Sequence, residues 1–353
     1  MELLSACVFY FGVFIVIASL IPIIKHDFWI FRVFEFPRLQ KLVANLAILL
    51  YFVFYLSFDK IEELIVVIAL LINLIYLCWL IYPFTVLGKK QVVWSTHPEG
   101  DRNVKLLIAN VFQDNKEEQQ YHKLIQSCNP DLVLMVETNQ WWQDRMDSIG
   151  SEYPHQIKVP LENTYGMLLY SRLELINGTV NYLVEDDIPS IETMVKLPSG
   201  DLVRLFCLHP RPPVPQENPQ STERDKEILL VAKKSKESEY PTLVIGDLND
   251  VAWSYTTELF SKISGLLDPR KGRGFFNSFN AKYFFLRFPL DHVFCSADFS
   301  LTTIKRMPSC GSDHFPMCIN LQYNPAAEAV NAAPVPDADD VEMFKEKVTA
   351  ETD

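Results

Sequence analysis

The chain has 353 residues, of which 49% are apolar and 22% are charged, with a formal net charge of −12. Residues 1–88 contribute −1 of this charge and residues 324–353 contribute −6, so the segment between them carries −5. Proteins that track along duplex nucleic acid are usually basic, because neutralising phosphates supplies most of their affinity. This balance argues against a broad nucleic-acid-tracking surface, although a metal site can still attract a single phosphate.

Three long apolar runs predict a membrane region at residues 1–88. Residues 3–24 and 64–87 carry no charge, and residues 39–58 contain a single lysine. Each run is near the roughly 20 residues that cross a bilayer, and the first lacks the basic start of a signal peptide. The alternative is two spans plus an interfacial segment, since residues 28–36 read FWIFRVFEF, an aromatic pattern typical of the headgroup level.

Basic residues predict the orientation of this region. The first loop holds Lys25, Arg32, Arg38 and Lys41, whereas the second loop, residues 59–63, holds only Lys60. The positive-inside rule then puts the first loop and everything after the third run in the cytoplasm, as a multi-pass plasma-membrane protein. The five cysteines after residue 88 are an odd number without a CxxC pair, which favours buried free thiols and a reducing compartment.

After a linker at residues 89–102, the chain alternates between strands and helices, which predicts a folded domain at residues 103–323. Strands are predicted at residues 104–109, 131–136, 165–171, 203–208, 242–245 and 290–295, and helices at residues 116–128 and 221–234. Residues 324–353 are rich in Ala, Pro and acidic residues, which predicts a disordered tail, with a short helix near residues 341–348 as an option.

Polar residues recur where these strands meet their loops. They are Asn110, Glu137, His209, Asp247, Asn249, Asp291, His292 and the run Ser312, Asp313 and His314. Each alone has an ordinary explanation, such as a turn beginning at Asp247 in GDLND. Together, two carboxylates and an amide suit Mg²⁺, and two histidines with a further Asp suit phosphate polarisation and proton transfer. Ligands of α/β proteins bind at the carboxyl ends of strands.

The ordered motifs LLIANVFQDN, DLVLMVETN, YGMLLYSR, CLHPRPP, LVIGDLNDVAWS, PLDHVFCS and GSDHFPM resemble the endonuclease/exonuclease/phosphatase superfamily over residues 103–322. The pair Trp253 and Ser254, the stretch GRGFFNSF and the apolar runs are most similar to its membrane-attached bacterial branch. The resemblance implies an α/β fold, a two-sheet α/β sandwich preceded by three transmembrane helices in a bacterial inner membrane. It also implies a phosphoesterase that depends on Mg²⁺ or Mn²⁺.

The resemblance implies a role for each matching residue. Glu137, Asn110 and Asp313 would bind the metal. Asp247 would activate water, Asn249 would stabilise the transition state, Asp291 would orient the catalytic His314, and His209 would contact the scissile phosphate. Asn115, Ser312 and Arg270, the last because it begins a short basic stretch, are predicted to contact substrate. Phe112 stands where some members carry a second metal-contacting carboxylate, which leaves the number of metal ions open.

The predicted function is therefore a membrane-anchored hydrolase of phosphoester bonds, chiefly phosphodiesters, that uses a metal-activated water and a His/Asp pair. One alternative is a nuclease acting on DNA or RNA, although the basic stretch at Arg270, Lys271 and Arg273 is short. Another is a catalytically decayed membrane scaffold, against which the intact polar set argues. Lipid, small-molecule and nucleic-acid substrates all stay open, and the bilayer is the only partner that the sequence indicates.

Overall fold

The computed structural model describes residues 2–55, 60–96 and 100–352. Its N-terminal part contains helices α1 (Glu2–Leu20), α2 (Trp29–Arg32), α3 (Arg38–Tyr55) and α4 (Ile61–Ile81). With their 3₁₀ extensions, the three long helices cover 22, 18 and 24 residues and are long and apolar enough to cross a membrane. The end of the predicted second span, residues 56–58, and residues 97–99 of the predicted linker lie outside the described residues.

The three long helices pack on one another through a small apolar core. Ile15 of α1, Phe52 of α3 and Leu70 of α4 belong to it. Two hydrogen bonds reinforce the α3–α4 contact: Asn73 Nδ2 donates to Asn45 Oδ1 at 3.0 Å, and Asn45 Nδ2 donates to the Leu70 carbonyl at 3.1 Å. In a bilayer, helices associate through such packing and polar contacts, so this bundle has the interior expected of membrane spans.

The rest of the chain forms two sheets packed face to face. The first has the strand order β10-β11-β1-β2-β4-β3 and the second the order β5-β6-β7-β8-β9. The strands are β1 (Asn103–Asn110), β2 (Leu132–Val136), β3 (His155–Val159), β4 (Met167–Ser171), β5 (Glu174–Asn181), β6 (Ser190–Lys196), β7 (Leu202–Leu208), β8 (Thr242–Asp247), β9 (Asp291–Cys295), β10 (Phe299–Arg306) and β11 (Met317–Tyr323). This arrangement confirms the predicted two-sheet α/β sandwich.

Helices cover the outer face of each sheet. They are α5 (Glu118–Cys128) and α6 (Gln140–Met146) on the first sheet, and α7 (Thr222–Lys236) and α8 (Tyr255–Ser264) on the second. The central strands are apolar on both faces because both faces are covered. In β1, Leu106 and Ile108 point into the sandwich, while Leu107 and Ala109 pack towards α5 and α6, as the two-residue period of a strand requires.

Strand pairing brings the polar strand ends to one edge. β1 and β2 run parallel, as do β7 and β8, so the carboxyl ends of each pair share an edge. The antiparallel β9 pairs Asp291 with Asp247, so Asp291 begins a strand at the same edge. Gly246 is required for this pairing: a Cβ there would lie 1.9 Å from the Leu208 carbonyl oxygen, and its φ is +143°.

Two cysteines that the sequence predicts to be free thiols are paired. Cys128 ends α5 and Cys318 lies in β11, and the structure joins them in a disulfide across 190 residues. Both residues belong to the apolar layer between α5 and the first sheet, which brings them together. Cys207, Cys295 and Cys310 are free and buried, as predicted.

The predicted disordered tail is folded instead. A 3₁₀ turn, Pro325–Ala329, is followed by α9 (Ala338–Thr349), whose first turn is capped by the side chain of Asp337. Asp340 accepts a 2.8 Å ion pair from Lys262 of α8, and Lys347 reaches Asp225 of α7 at 3.1 Å. The acidic composition suggested disorder, but lysine partners and a cap hold this segment against the domain.

Candidate active site

Asp247 lies at the centre of the polar edge, where β8 ends. Its Oδ2 accepts a hydrogen bond from Asn110 Nδ2 at 3.0 Å, and its Oδ1 accepts one from the Asn249 backbone N–H at 2.9 Å. Burial alone would raise the pKa of this carboxyl, but His314 and His209 together with these hydrogen bonds hold the pKa below its usual value. Asp247 is therefore a fixed, ionised carboxylate that can accept a proton.

His314 bridges two carboxylates. Its Nδ1 lies 2.9 Å from Asp291 Oδ2, and its Nε2 lies 3.5 Å from Asp247 Oδ2. Burial opposes a charged ring, yet Asp247 and Asp291 outweigh it and raise the pKa of His314 to about 10. The Phe279 ring packs against the imidazole with centroids 4.9 Å apart. Asp291 thus fixes the ring orientation and favours the imidazolium form.

Glu137 follows β2 and shares the amide of Asn110 with Asp247. Asn110 Nδ2 donates to Glu137 Oε1 at 2.6 Å. Burial, opposed by that hydrogen bond and by His314 and reinforced by Asp247 and Asp313, raises the pKa of Glu137 to about 7. Glu137 also has φ +58°, a left-handed conformation that costs free energy in a residue other than Gly or Asn. Strain at a half-buried carboxylate is typical of a site that binds a ligand.

His209 and Asn249 complete the edge. The His209 Nδ1 is buried and has no hydrogen-bond partner among the described residues, and burial lowers the pKa of the ring to about 4. The Tyr165 ring lies against it, with centroids 5.4 Å apart. Asn249 has φ +50°, and its Nδ2 donates to the Pro210 carbonyl at 2.9 Å. A buried ring nitrogen without a partner indicates that a polar ligand atom belongs beside it.

This edge coincides with a sequence match. The profile of the endonuclease/exonuclease/phosphatase family matches residues 107–314, which run from β1 to His314. The chain belongs to this family. Its members, as the name states, are nucleases and phosphatases, and therefore hydrolases. None of the curated proteins compared with the chain matches its sequence significantly.

Solved structures share the family fold. Humanized D. rerio TDP2 is 14% identical over 63% of this chain and 99% of its own, with a TM-score of 0.51. The human Nocturnin catalytic domain, with a bound sulfate anion, is 14% identical over 63% of this chain and 95% of its own, with a TM-score of 0.51. The endonuclease/exonuclease/phosphatase from Bacteroides vulgatus is 18% identical over 63% and 99%, with a TM-score of 0.50. At such identities the likeness shows the fold.

Two residues expected to contact substrate brace the loops around the polar edge. Asn115 Nδ2 donates to the carbonyls of Val111 and Cys310, at 3.1 and 2.9 Å. Ser312 Oγ accepts a hydrogen bond from the His314 backbone N–H at 2.9 Å. These contacts tie the loop before His314 to the loop after β1, so both residues hold the edge in shape.

The third, Arg270, does not reach the edge. Its side chain is 2% exposed, and its guanidinium pairs with the Asp268 carboxylate at 2.9 Å. The remaining N–H groups donate to the Asp291 carbonyl at 3.2 Å and contact His292 Nδ1 at 2.7 Å. His292, whose Nε2 lies 2.8 Å from the Asp250 carbonyl oxygen, is turned away from the edge as well. The polar groups of Arg270 and His292 already have internal partners. Both side chains therefore stabilise the start of β9 on the side away from the polar edge.

Two contributors were not predicted. Arg224 of α7 donates to the Asn249 carbonyl at 2.9 Å and so fixes the loop after β8. Phe279 packs on His314, although the sequence only marks GRGFFNSF as similar to a family stretch. A polar helix and an aromatic loop carry no sequence signal that specifies these contacts, since each depends on a distant partner.

A pocket of about 410 Å³ opens over the polar edge. Glu137, Asn249, Asp313 and His314 line its polar side. The rest of its lining consists of Trp29, Arg32, Val33 and Phe36 from the first loop, residues 212–215, Phe279 and Leu290. The volume lies within the range of about 300–1,000 Å³ that small-ligand pockets occupy.

The donor atoms at this edge fit a hard divalent cation. Asp247, Asp291 and His314 offer ligand atoms within 4.8 Å of one another, but both His314 ring nitrogens face carboxylates, which explains this group as a hydrogen-bonded chain. Glu137, Asn110 and Asp313 instead supply oxygen donors, and burial, with Asp247 and Asp313 nearby, raises the pKa of Glu137. An excess of buried negative charge on oxygen ligands is what Mg²⁺ or Mn²⁺ compensates.

Proposed function

We propose that this chain is a membrane-anchored, divalent-metal-dependent hydrolase of phosphoester bonds, and of phosphodiesters in particular. The observation that carries the proposal is the His314 imidazole between Asp291 and Asp247, beside the Glu137–Asn110 pair. A fixed base, a cationic hydrogen-bond donor and an oxygen-rich cation site at one edge of the sheets match what hydrolysis of an anionic ester needs.

Glu137, Asn110 and Asp313 would hold the cation, Mg²⁺ or Mn²⁺. When bound, it would offset the negative charge of the phosphoryl oxygens. The support is the raised pKa of Glu137, whose first cause is burial and to which Asp247 and Asp313 add. Ionising such a carboxyl group costs free energy when the group is alone, and a divalent ion beside it would make the ionised form favourable.

The protein groups supply the proton transfers. Asp247 would accept a proton from the attacking water, since two hydrogen bonds already orient its carboxylate. His314 would donate from Nε2 to the oxygen on which negative charge develops, while Asp291 holds Nδ1. His209, with a buried unpaired nitrogen, would contact a phosphoryl oxygen. The side chain of Asn249 would donate there after releasing the Pro210 carbonyl.

The test is turnover of bis(p-nitrophenyl) phosphate by the purified full chain in detergent, with Mg²⁺, Mn²⁺ or a chelator. We expect metal-dependent turnover that Asp247→Asn lowers by at least about 100-fold, because removing a general base typically costs that much. Asp201→Asn is the matched control, since Asp201 pairs at the surface with Arg102. A wild-type chain that turns over no phosphoester with either metal would support the decayed-scaffold alternative.

We also propose that the three long helices anchor the enzyme in a membrane with the domain in the cytoplasm. The first loop contacts the domain, for instance through Trp253 Nε1, which donates to the Glu35 carbonyl, so both lie on one side of the bilayer. Lys25, Lys89 and Lys90 are exposed on that side, which agrees with the positive-inside rule. The Cys128–Cys318 disulfide argues for the opposite, oxidising side.

Thiol labelling decides between these arguments. The free cysteines of the domain are buried, so a reporter is needed, and Lys233→Cys places one on an exposed side chain of α7. With a membrane-impermeant maleimide, we expect labelling of bacterial spheroplasts only after lysis. Labelling before lysis would reverse the orientation and leave the hydrolase proposal intact.

A further inference from the structure

We infer that the phosphoester taken by this site is a membrane lipid, with its phosphate at the polar edge and part of its hydrocarbon chain against the first loop. This inference rests on the proposed function and names the substrate class. It comes from three features: the origin of the pocket wall, an exposed aromatic loop, and the distribution of charge around the pocket.

The apolar wall of the pocket comes from the loop between two membrane-spanning helices. Trp29, Val33 and Phe36 line the pocket opposite Glu137 and His314, and they lie between α1 and α3. Two helices that cross a bilayer hold the loop between them at its surface. The mouth of the pocket therefore lies at headgroup level, where a lipid can place its phosphate inwards and leave most of its chains in the bilayer.

A second apolar surface connects the catalytic edge to the same membrane face. The aromatic tip, which we define as Tyr283, Phe284, Phe285 and Leu286, is exposed, with Phe284 78% accessible. Its base includes Phe279, which packs on His314. At its far end, the Phe285 carbonyl accepts a 2.8 Å hydrogen bond from Gln40 in the first turn of α3. Exposed aromatics beside the start of a membrane span suit the interfacial region of a bilayer.

The charge around the pocket disfavours a polyanion. Arg32 is the single Lys or Arg that lines it within the described part of the chain. Its guanidinium is already paired with Glu35 at 3.1 Å and Asp250 at 3.2 Å. A nucleic acid needs a track of unpaired basic groups for its successive phosphates, whereas a lipid presents one phosphate beside apolar groups. The pocket lining, with one paired arginine beside apolar side chains, matches a lipid.

The reaction on such a lipid needs no further reactant. The oxygen of water forms a bond to phosphorus, the bond from phosphorus to the leaving alcohol oxygen breaks, and the alcohol receives a proton. A diester lipid gives a phosphate monoester and an alcohol, and a monoester lipid gives orthophosphate and an alcohol. The product that keeps the hydrocarbon chain stays in the bilayer, and the other enters water.

The test compares two activated diesters that differ only in their chain: hexadecyl p-nitrophenyl phosphate in mixed micelles and methyl p-nitrophenyl phosphate. With the full chain and Mg²⁺ or Mn²⁺, we expect kcat/KM to be on the order of 100-fold higher for the hexadecyl ester, as burial of a few methylene groups predicts. DNA oligonucleotides, single-stranded and duplex, serve as the competing class. Vesicles of phosphatidylglycerol and phosphatidic acid then test natural headgroups against their deacylated forms.

Two substitutions separate the pocket wall from general membrane contact. Val33 lines the pocket and Ile30 does not, although both side chains are similarly exposed, 44% and 43%, on the same loop. We expect Val33→Asp to lower the hexadecyl-to-methyl preference at least tenfold, and Ile30→Asp to lower it less than threefold. We expect Phe284→Ser to lower the hexadecyl-to-methyl preference by an amount between those two, because Phe284 would help the ester to pass from the micelle to the pocket.

The outcomes distinguish this inference from the proposed function. Equal turnover of the hexadecyl and methyl esters would overturn the lipid assignment and leave the hydrolase intact. Faster turnover of DNA than of any lipid would do the same and favour a nuclease. An equal loss in Val33→Asp and Ile30→Asp would show that the pocket wall does not contact the chain. Absence of turnover on every ester would remove the proposed function itself.

Discussion

Two groups of buried charged side chains flank Asn249, and they differ in how their charges are balanced. The anchor cluster, which we define as Arg32, Glu35, Arg224, Asp225, Asp250 and Lys347, joins the first loop to α7, α9 and the loop after β8. Its members form ion pairs with one another, for example Arg32–Asp250 at 3.2 Å and Arg224–Asp225 at 2.8 Å. Burial would raise the pKa of Asp225, but Arg224, Arg32 and Lys347 hold it well below its usual value.

The polar edge, which we propose to be catalytic, has the opposite character. It gathers Glu137, Asp247, Asp291 and Asp313 around one imidazolium, His314. Buried charges that neutralise one another need no ligand, and removing one leaves the others unpaired. An excess of negative charge favours the binding of a cation. Removing one of these carboxylates lowers the repulsion among the others. The comparison predicts that substitutions in the anchor cluster cost stability and that substitutions at the catalytic edge cost activity.

The largest expected effect is on activity, from His314. We expect His314→Ala to lower kcat for an activated phosphodiester by at least about 1,000-fold, because the ring touches the developing charge. Asp291→Ala should cost less, and the double variant should be little worse than His314→Ala, since residues that act as a unit are strongly non-additive. Circular dichroism of each variant checks folding. Losses that multiply would show that Asp291 does not serve His314.

Glu137 should come next. Glu137→Gln keeps the shape of the side chain and removes the charge, so we expect Mn²⁺ affinity, measured by calorimetry, to fall at least tenfold and turnover to fall with it. Glu162→Gln is the matched control, because Glu162 lies at the surface, where Asn139 donates to it. Unchanged Mn²⁺ affinity in Glu137→Gln would place the cation elsewhere.

Arg32 should show the reverse pattern, with the main loss in stability. Arg32→Met removes the buried guanidinium that pairs with Glu35 and Asp250 and leaves Asp250 paired with Arg224, which costs roughly 3–5 kcal/mol of unfolding free energy. Arg102→Met removes the surface pair with Asp201 and should cost less than about 1 kcal/mol. Denaturant unfolding of the full chain in detergent, followed by domain fluorescence, measures both. Equal losses would mean that the anchor cluster adds nothing beyond a surface pair.

The smallest effects should come from α9. Lys347 is buried between Asp27 and Asp225, whereas Lys262, which pairs with Asp340, is partly exposed. We expect Lys262→Met to cost no more than about 1 kcal/mol, with a salt-dependent effect, because solvent screens the pair. Lys347→Met should cost more and respond less to salt. The same unfolding assay, repeated at low and high ionic strength, ranks the two.

The strand ends were predictable because local signals point to them. Apolar runs that stop at Asn110, Glu137 and Asp247 predict strands, and parallel pairing brings such ends to one edge. The first loop also carried a local signal, its aromatic composition, which agrees with its place beside the bundle. The sequence pattern could not identify the residue with which each charged side chain pairs. Arg270 faces Asp268 and His292 and not the pocket, because a buried carboxylate two residues away pairs with its guanidinium.

The errors share one physical cause. Cys128 and Cys318 are 190 residues apart, and Lys347 meets Asp27 across 320 residues, so neither pairing leaves a mark in the neighbouring sequence. The acidic tail shows this most clearly, because its composition matches disordered segments until Lys262 and Lys347 are placed beside it. Trp253 and Ser254 were noted only as similar to a family branch. The structure shows that Trp253 binds the first loop through the Glu35 carbonyl.

The buried position of Arg32 also bears on how the protein is made. Asp250, its partner, lies 218 residues further along the chain. At about 5–20 residues per second, roughly 10–40 seconds pass between synthesis of the two. In the proposed membrane topology, the first loop reaches the membrane surface during that interval, before Asp225 and Asp250 have been synthesised. A domain released without residues 1–88 would bury Asp225 and Asp250 with one arginine fewer. We therefore expect the catalytic edge to mature only after insertion, so that failed insertion exposes the domain to proteolysis.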